Sequence, residues 1–132
     1  LYAQNLGRQA NVVVVDDEAD ALEAMQTSLT RRGLHCEGFT DAGKAIERIL
    51  KDSPDLVVLD YLLRGLTGLD VAARIRNSGH TRHLPILMIT SSPTTEVVQK
   101  AVELKVNGFV AKPFDPKAFA DKAIQILKQT PI

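Results

Sequence analysis

Val12-Val13-Val14-Val15-Asp16-Asp17 decides how the rest of the chain is read. Four β-branched residues in a row present no polar face, the pattern of a strand buried on both sides. Two carboxylates follow at once. Leu56-Val57-Val58-Leu59-Asp60 repeats the figure, and Ile86-Leu87-Met88-Ile89 runs into Thr90-Ser91-Ser92. Phe109-Val110-Ala111 is a shorter version that runs into Lys112-Pro113. Residues 34–39 are mixed in polarity, as an edge strand would be.

Amphipathic stretches separate these runs. Leu22, Met25 and Leu29 fall at helical spacing, and Gly33 is placed to stop that helix. Ala42, Ala45, Ile46, Ile49 and Leu50 form a second stripe. Val71, Ala72 and Ile75 form a third, ended by residues 77–79. Ser92-Pro93 reads as a cap followed by proline at the first helical position, ahead of Val97, Val98, Ala101, Val102 and Leu104. Asp115-Pro116 repeats that start before Phe119, Ala123, Ile124 and Leu127. The order is β-α five times over. It predicts an α/β fold, a doubly wound five-stranded parallel sheet with helices on both faces. Residues 1–10 and 129–132 read as tails around one domain at 11–128.

Composition agrees and excludes. The 132 residues suit one domain, and 45% hydrophobic with 24% charged is ordinary for a globule. Sixteen basic side chains balance sixteen acidic ones, which argues against bulk binding to nucleic acid or anionic membrane. Cys36 is the only cysteine, so there is no intrachain disulfide framework and no cysteine-rich zinc site, and a cytoplasmic location is expected. No apolar run reaches the ~20 residues of a membrane span. The start lacks the basic-then-apolar order of a signal peptide. The chain does not begin with Met, so a processed or excised piece of something longer is expected.

In open parallel sheets, ligands bind outside the carboxyl ends of the strands. Four of the five ends here carry phosphate or metal chemistry: Asp16-Asp17, Asp60, Thr90 and Lys112. Three carboxylates held together repel, and a divalent cation removes that conflict. All-oxygen ligands favour Mg²⁺. One carboxylate is then free to act as a nucleophile, while a lysine and a hydroxyl hold phosphoryl oxygens. Each motif alone has a plainer reading. Asp-Asp before a helix is favourable charge at its N-terminus, a carboxylate after a strand is a turn residue, and Lys-Pro-Phe is a turn. Their joint placement points to one shared site.

With these motifs together, from Asn11 to Lys128, the chain resembles a receiver domain of a two-component response regulator. The resemblance implies the flavodoxin-like strand order 2-1-3-4-5. It implies that Asp60 accepts phosphoryl from a sensor histidine kinase or a histidine phosphotransfer protein. Asp16, Asp17 and Asp60 would hold Mg²⁺ with the backbone carbonyl of Leu62, Asp16 mainly through water. Lys112 would pair with the phosphoryl group, and Thr90 would hydrogen-bond it and move. Phe109 occupies the switch-aromatic position, and Lys112-Pro113 is similar to a bond that is cis in the family. Output would pass to a downstream domain or protein through the face of the fourth helix, fifth strand and fifth helix. Such a domain catalyses its own phosphorylation and dephosphorylation and turns over no separate substrate.

The chain also departs from the family pattern. Leu63 and Arg64 stand where Met-Pro is frequent, while Gly68 matches. Leu62 and Ser92 offer little to orient an attacking water, so slow dephosphorylation is expected. Asn107 and Gly108 replace an acidic pair used in dimer salt bridges by transcription-factor receivers. Phe109 lacks the hydroxyl of the commoner Tyr. His80 and His83, and Arg74, Arg76 and Arg82, read as a solvated face, and Cys36 as a small buried apolar residue. The rivals are a degenerate receiver acting only as a docking or dimerisation module, a phosphohydrolase, which would want Asp-x-Asp where Asp60-Tyr61-Leu62 stands, and a flavin carrier, which would want a Ser/Thr/Gly-rich first loop. No output motif fits the remaining residues. The chain is therefore expected either to stand alone or to have its output domain elsewhere.

Overall fold

The computed structural model describes residues 8–129. Five parallel strands, β1 (Asn11–Val15), β2 (His35–Phe39), β3 (Leu56–Asp60), β4 (Ile86–Thr90) and β5 (Gly108–Ala111), lie in the order β2-β1-β3-β4-β5. The helices are α1 (Ala19–Thr30), α2 (Ala42–Lys51), α3 (Gly68–Arg76), α4 (Thr95–Glu103) and α5 (Pro116–Gln129). The fold class and strand order are as expected, with mixed-polarity β2 on an edge.

Period-two alternation splits each central strand between two cores. Val12, Val14, Leu56, Val58, Leu87 and Ile89 meet α1 and α5 through Met25, Leu29, Phe119 and Ile124. Val13, Val15, Val57, Leu59, Ile86 and Met88 meet α2, α3 and α4 through Ile49, Val71, Ile75 and Ala101. This is why the runs carry no polar residue: both faces are covered.

Local signals set the helix ends. Gly33 adopts φ 87, the left-handed turn expected after α1. The Asp41 carboxylate accepts the N–H groups of Gly43 and Lys44 at 2.8 and 3.2 Å and starts α2. Thr67 and Asp70 form a reciprocal capping box on α3. Asp115 accepts from the Ala118 N–H at 2.9 Å, with Pro116 opening α5 as expected. The start of α4 differs from expectation. Its cap is Thr94, whose hydroxyl accepts from the Val97 N–H at 3.2 Å, and Ser92 lies in the preceding loop. The Ser92 carbonyl accepts the Thr94 N–H at 2.9 Å, so the chain turns after Ser92 before the helix begins.

Arg76 also departs from expectation. It is half-buried and donates to four backbone carbonyls, those of Leu104, Arg82, Leu84 and Lys105, at 2.8, 3.0, 2.7 and 3.1 Å. It ties the end of α3 to the loops before β4 and β5. Arg74 and Arg82 are exposed, and exposed His80 bonds the Leu50 carbonyl at 2.6 Å. Half-buried Cys36 has its thiol pushed up to about 11 by burial, in keeping with an inert packing residue. Of the segment read as an N-terminal tail, residues 1–7 lie outside the described residues. Residues 8–10 lie against the domain: Ala10 is fully buried and accepts from the His35 N–H, and Arg8 bonds Asp55 with both guanidinium nitrogens. At the other end, Gln129 closes α5, and 130–132 lie outside the described residues.

Candidate functional site

The sheet ladder continues past its strands and fixes the polar residues at their ends. The Asp16 N–H donates to the Phe39 carbonyl, Tyr61 N–H to Ile89, and Lys112 N–H to Thr90, at 3.1, 2.8 and 2.9 Å. Asp16, Asp60, Thr90 and Lys112 therefore sit on one edge of the sheet at backbone-determined heights. Asp16 is fully buried, Asp60 is 5% exposed and Thr90 is 2% exposed.

The Lys112 ammonium bridges the carboxylates. Its Nζ lies 2.8 Å from Asp16 Oδ2 and 3.1 Å from Asp60 Oδ2, with Glu18 Oε1 at 3.8 Å. Asp16 Oδ1 accepts the Glu18 N–H at 2.9 Å, which fixes the rotation of that carboxylate. One oxygen each of Asp16, Asp17 and Asp60 falls within 4.8 Å of the others. Asp20, in the first turn of α1, is exposed and makes no ion pair among the described residues.

One ammonium thus faces four carboxylates, and the balance is uneven. Burial, then the charge of Asp16, push Asp60 up to about 6 against the pull of Lys112. Burial works against the Lys112 charge, but the hydrogen bonds it donates to Asp16 and Asp60 outweigh it, and the ammonium is held above its usual range. An all-oxygen set carrying surplus negative charge fits a hard divalent cation, which would offset the charge that Lys112 leaves uncompensated.

The loop after Asp60 is held closely. The Gly68 N–H donates to the Tyr61 carbonyl at 2.7 Å, and Leu62 and Thr67 form an antiparallel bridge. A Cβ on Gly68 would collide with the Asp60 carbonyl oxygen, so only glycine lets α3 begin this close to the site. The Lys112-Pro113 bond is cis. Half-buried Phe109 packs on the core shared by α2, α3 and α4, and Thr90 offers its hydroxyl to the Ser92 N–H at 3.1 Å.

A family model, the response regulator receiver domain, matches residues 12–124. The chain belongs to this family. The receiver domain is 28% identical over 119 residues to the phosphate regulon transcriptional regulatory protein PhoB of Pseudomonas aeruginosa, covering 90% of this chain and 52% of that protein. It therefore spans about half the length of that relative. It is 29% identical over 125 residues to chemotaxis protein CheY-3 of Vibrio cholerae, covering 94% of this chain and 96% of that one. A CheY-like response regulator receiver domain protein from Methanospirillum hungatei shares the fold, with a TM-score of 0.86 at 18% identity over 92% of this chain and 95% of that one.

The chain is thus a response regulator receiver domain, the family its sequence motifs resemble. The structure brings together Asp16, Asp17 and Asp60, the three carboxylates singled out in the sequence. In the sequence Arg64 stood out only as a departure from the family's Met-Pro, and Thr67 and Asp70 did not stand out at all. Thr-x-x-Asp was a readable capping signal. No helix among the described residues is long and apolar enough to cross a membrane.

Proposed function

We propose that Asp60 is the phosphoacceptor and that Mg²⁺ is held by Asp16, Asp17, Asp60 and the Leu62 backbone carbonyl. The observation that carries this is the Lys112 ammonium set between Asp16 and Asp60 beside the third carboxylate. Bound there, the cation would neutralise carboxylate charge and phosphoryl oxygens together. An Asp60 oxygen attacks phosphorus. The P–N bond of a phosphohistidine breaks, and the imidazole leaves with the electron pair. Lys112 then exchanges a carboxylate for the new phosphoryl group, and the Thr90 hydroxyl turns from the Ser92 N–H to a phosphoryl oxygen. Drawing Thr90 inward vacates volume that Phe109 fills, which alters the face of α4, β5 and α5 presented to an output domain or protein. The phosphodonor is a histidine kinase or histidine phosphotransfer protein, and the site of action is the cytoplasm. This domain itself contacts neither nucleic acid nor membrane.

The test is intact mass after incubation with acetyl phosphate and Mg²⁺. One phosphoryl group should add to the wild type, none to Asp60→Ala, and none to either once the metal is chelated. A phosphoryl adduct that survives Asp60→Ala refutes the assignment.

A further inference from the structure

The loop between β3 and α3 is a short hairpin with a fixed tip. The Leu62–Thr67 bridge closes it, Leu63 and Leu66 anchor it on the core, and Gly65 turns it at φ 79. That arrangement leaves Arg64 exposed at the tip. Its guanidinium makes no hydrogen bond or ion pair among the described residues. It lines a cavity of about 460 Å³ together with Asp17, Thr40, Asp41 and Leu66. Asp41 is committed to capping α2, and Arg64 is the only cationic side chain on the cavity wall. Through Asp17 the cavity adjoins the acidic site. A small anionic molecule approaching that site meets Asp16, Asp17, Glu18 and Asp60 on the protein side. The uncommitted positive charge it meets is Arg64.

We propose that Arg64 sets phosphodonor selectivity, favouring acyl phosphates over phosphoramidates. The inference rests on Asp60 being the phosphoacceptor. From acetyl phosphate, an Asp60 oxygen bonds to phosphorus, the bridging P–O bond breaks, and acetate leaves as an anion with the electron pair. From phosphoramidate, the P–N bond breaks, and the nitrogen leaves with its electron pair and protons as neutral ammonia. Both leaving groups take up an electron pair, but only acetate carries net negative charge as it departs, whereas the phosphoramidate nitrogen, already triply protonated, passes from ammonium to neutral. The surrounding carboxylates repel that charge, and a guanidinium at the cavity wall offsets the repulsion. Arg64 thereby acts on one donor class and is nearly indifferent to the other.

The experiment compares second-order phosphorylation rates with acetyl phosphate and with phosphoramidate, in Mg²⁺, for wild type, Arg64→Ala, Arg64→Lys and Arg64→Glu. Arg64→Ala should lower the acetyl phosphate rate about three- to tenfold, the effect of one nearby solvent-screened charge, and Arg64→Glu should lower it further. The phosphoramidate rate should stay within about twofold, Arg64→Lys should retain most of the preference, and high salt should shrink it. Urea unfolding should be unchanged in all three variants, because the side chain is exposed and unbonded. A donor ratio that is the same in wild type and Arg64→Ala overturns the proposal, whether both rates fall or neither does. Wild type that takes phosphoryl from neither donor, or Asp60→Ala that still takes it, instead removes the phosphoacceptor reading and this inference with it.

Discussion

Asp60→Asn should make the metal-free domain more stable at neutral pH, although it removes the residue proposed to carry the chemistry. In an unstructured chain the Asp60 carboxyl would titrate near 3.8, and in the fold it is pushed up to about 6, by burial first and by the charge of Asp16 second. Between those two values the folded domain keeps a proton that the unfolded chain has released. The stability this group contributes is therefore greatest below about pH 4 and is lost as the pH rises through 6. At about 1.36 kcal/mol per pH unit, ionised Asp60 costs the fold about 3 kcal/mol at pH 7. Asparagine keeps the shape and an acceptor for Lys112 Nζ, 3.1 Å away in the wild type, without the charge. The expected gain is up to about 3 kcal/mol, or roughly 1 M or more in urea midpoint for an m-value of about 1–3 kcal/mol per M. The assay is urea unfolding of both proteins in chelator from acid to neutral pH. The wild-type stability should fall between about pH 4 and 6 by more than that of the variant. Adding Mg²⁺ should reverse the order of benefit, stabilising wild type by about 2.7 kcal/mol at a hundred times its dissociation constant and the variant by less. A variant no more stable than wild type in chelator at pH 7, or one with the same pH slope, would falsify the picture of an over-charged site.

Lys112→Ala leaves fully buried Asp16 beside Asp60 with no cation, so stability in chelator should drop by about 3–5 kcal/mol, with Mg²⁺ restoring part of it in a thermal melt. Gly68→Ala forces a Cβ into the Asp60 carbonyl, and the resulting backbone shift should cost about 1–3 kcal/mol in urea and slow phosphorylation from acetyl phosphate. Leu62 is 60% exposed and offers no group to hold an attacking water. The phosphorylated wild type should therefore lose phosphoryl over minutes, and Leu62→Asn should shorten that lifetime in a mass-spectrometric decay. Loss from wild type within seconds would contradict this.

The central strands and the carboxylate pocket were legible because one sequence feature specified both. A strand covered on two faces must be apolar throughout, so the first polar residue after Val15, Leu59 or Ile89 marks the edge where its ladder leaves the core. Period and chemistry then agree on Asp16, Asp60 and Thr90. The readings that failed depended on contacts remote in sequence. Nothing near Arg76 announces that carbonyls 6 to 29 residues away will surround its guanidinium. Arginine at the end of a helix is ordinarily solvated. Ser92 ahead of proline read as the cap of α4, but its carbonyl takes the Thr94 N–H in a turn, and the helix starts two residues later on the Thr94 hydroxyl. Asn107 shows the same limit. It was read for the salt bridges it cannot form, whereas its amide oxygen and its N–H pair with Ile86 and hold the start of β5 against β4.

The charge balance of the chain acquires a local meaning from this geometry. Sixteen positive and sixteen negative side chains cancel overall, yet the edge of the sheet concentrates four carboxylates around one ammonium. A stability optimum would have placed a second cation or an amide among them. Two cores, one on each face of the sheet, supply the burial that lets the fold carry the strain. The excess also makes the site responsive. Where one ammonium already satisfied every carboxylate, neither a divalent cation nor a phosphoryl group would change much. Here Lys112 is shared between Asp16 and Asp60, so any group that takes over Asp60 releases half of that bridge. The site is thus poised by what it leaves uncompensated, and the backbone ladder that sets Asp16, Asp60, Thr90 and Lys112 side by side prevents it from relaxing that charge by moving apart.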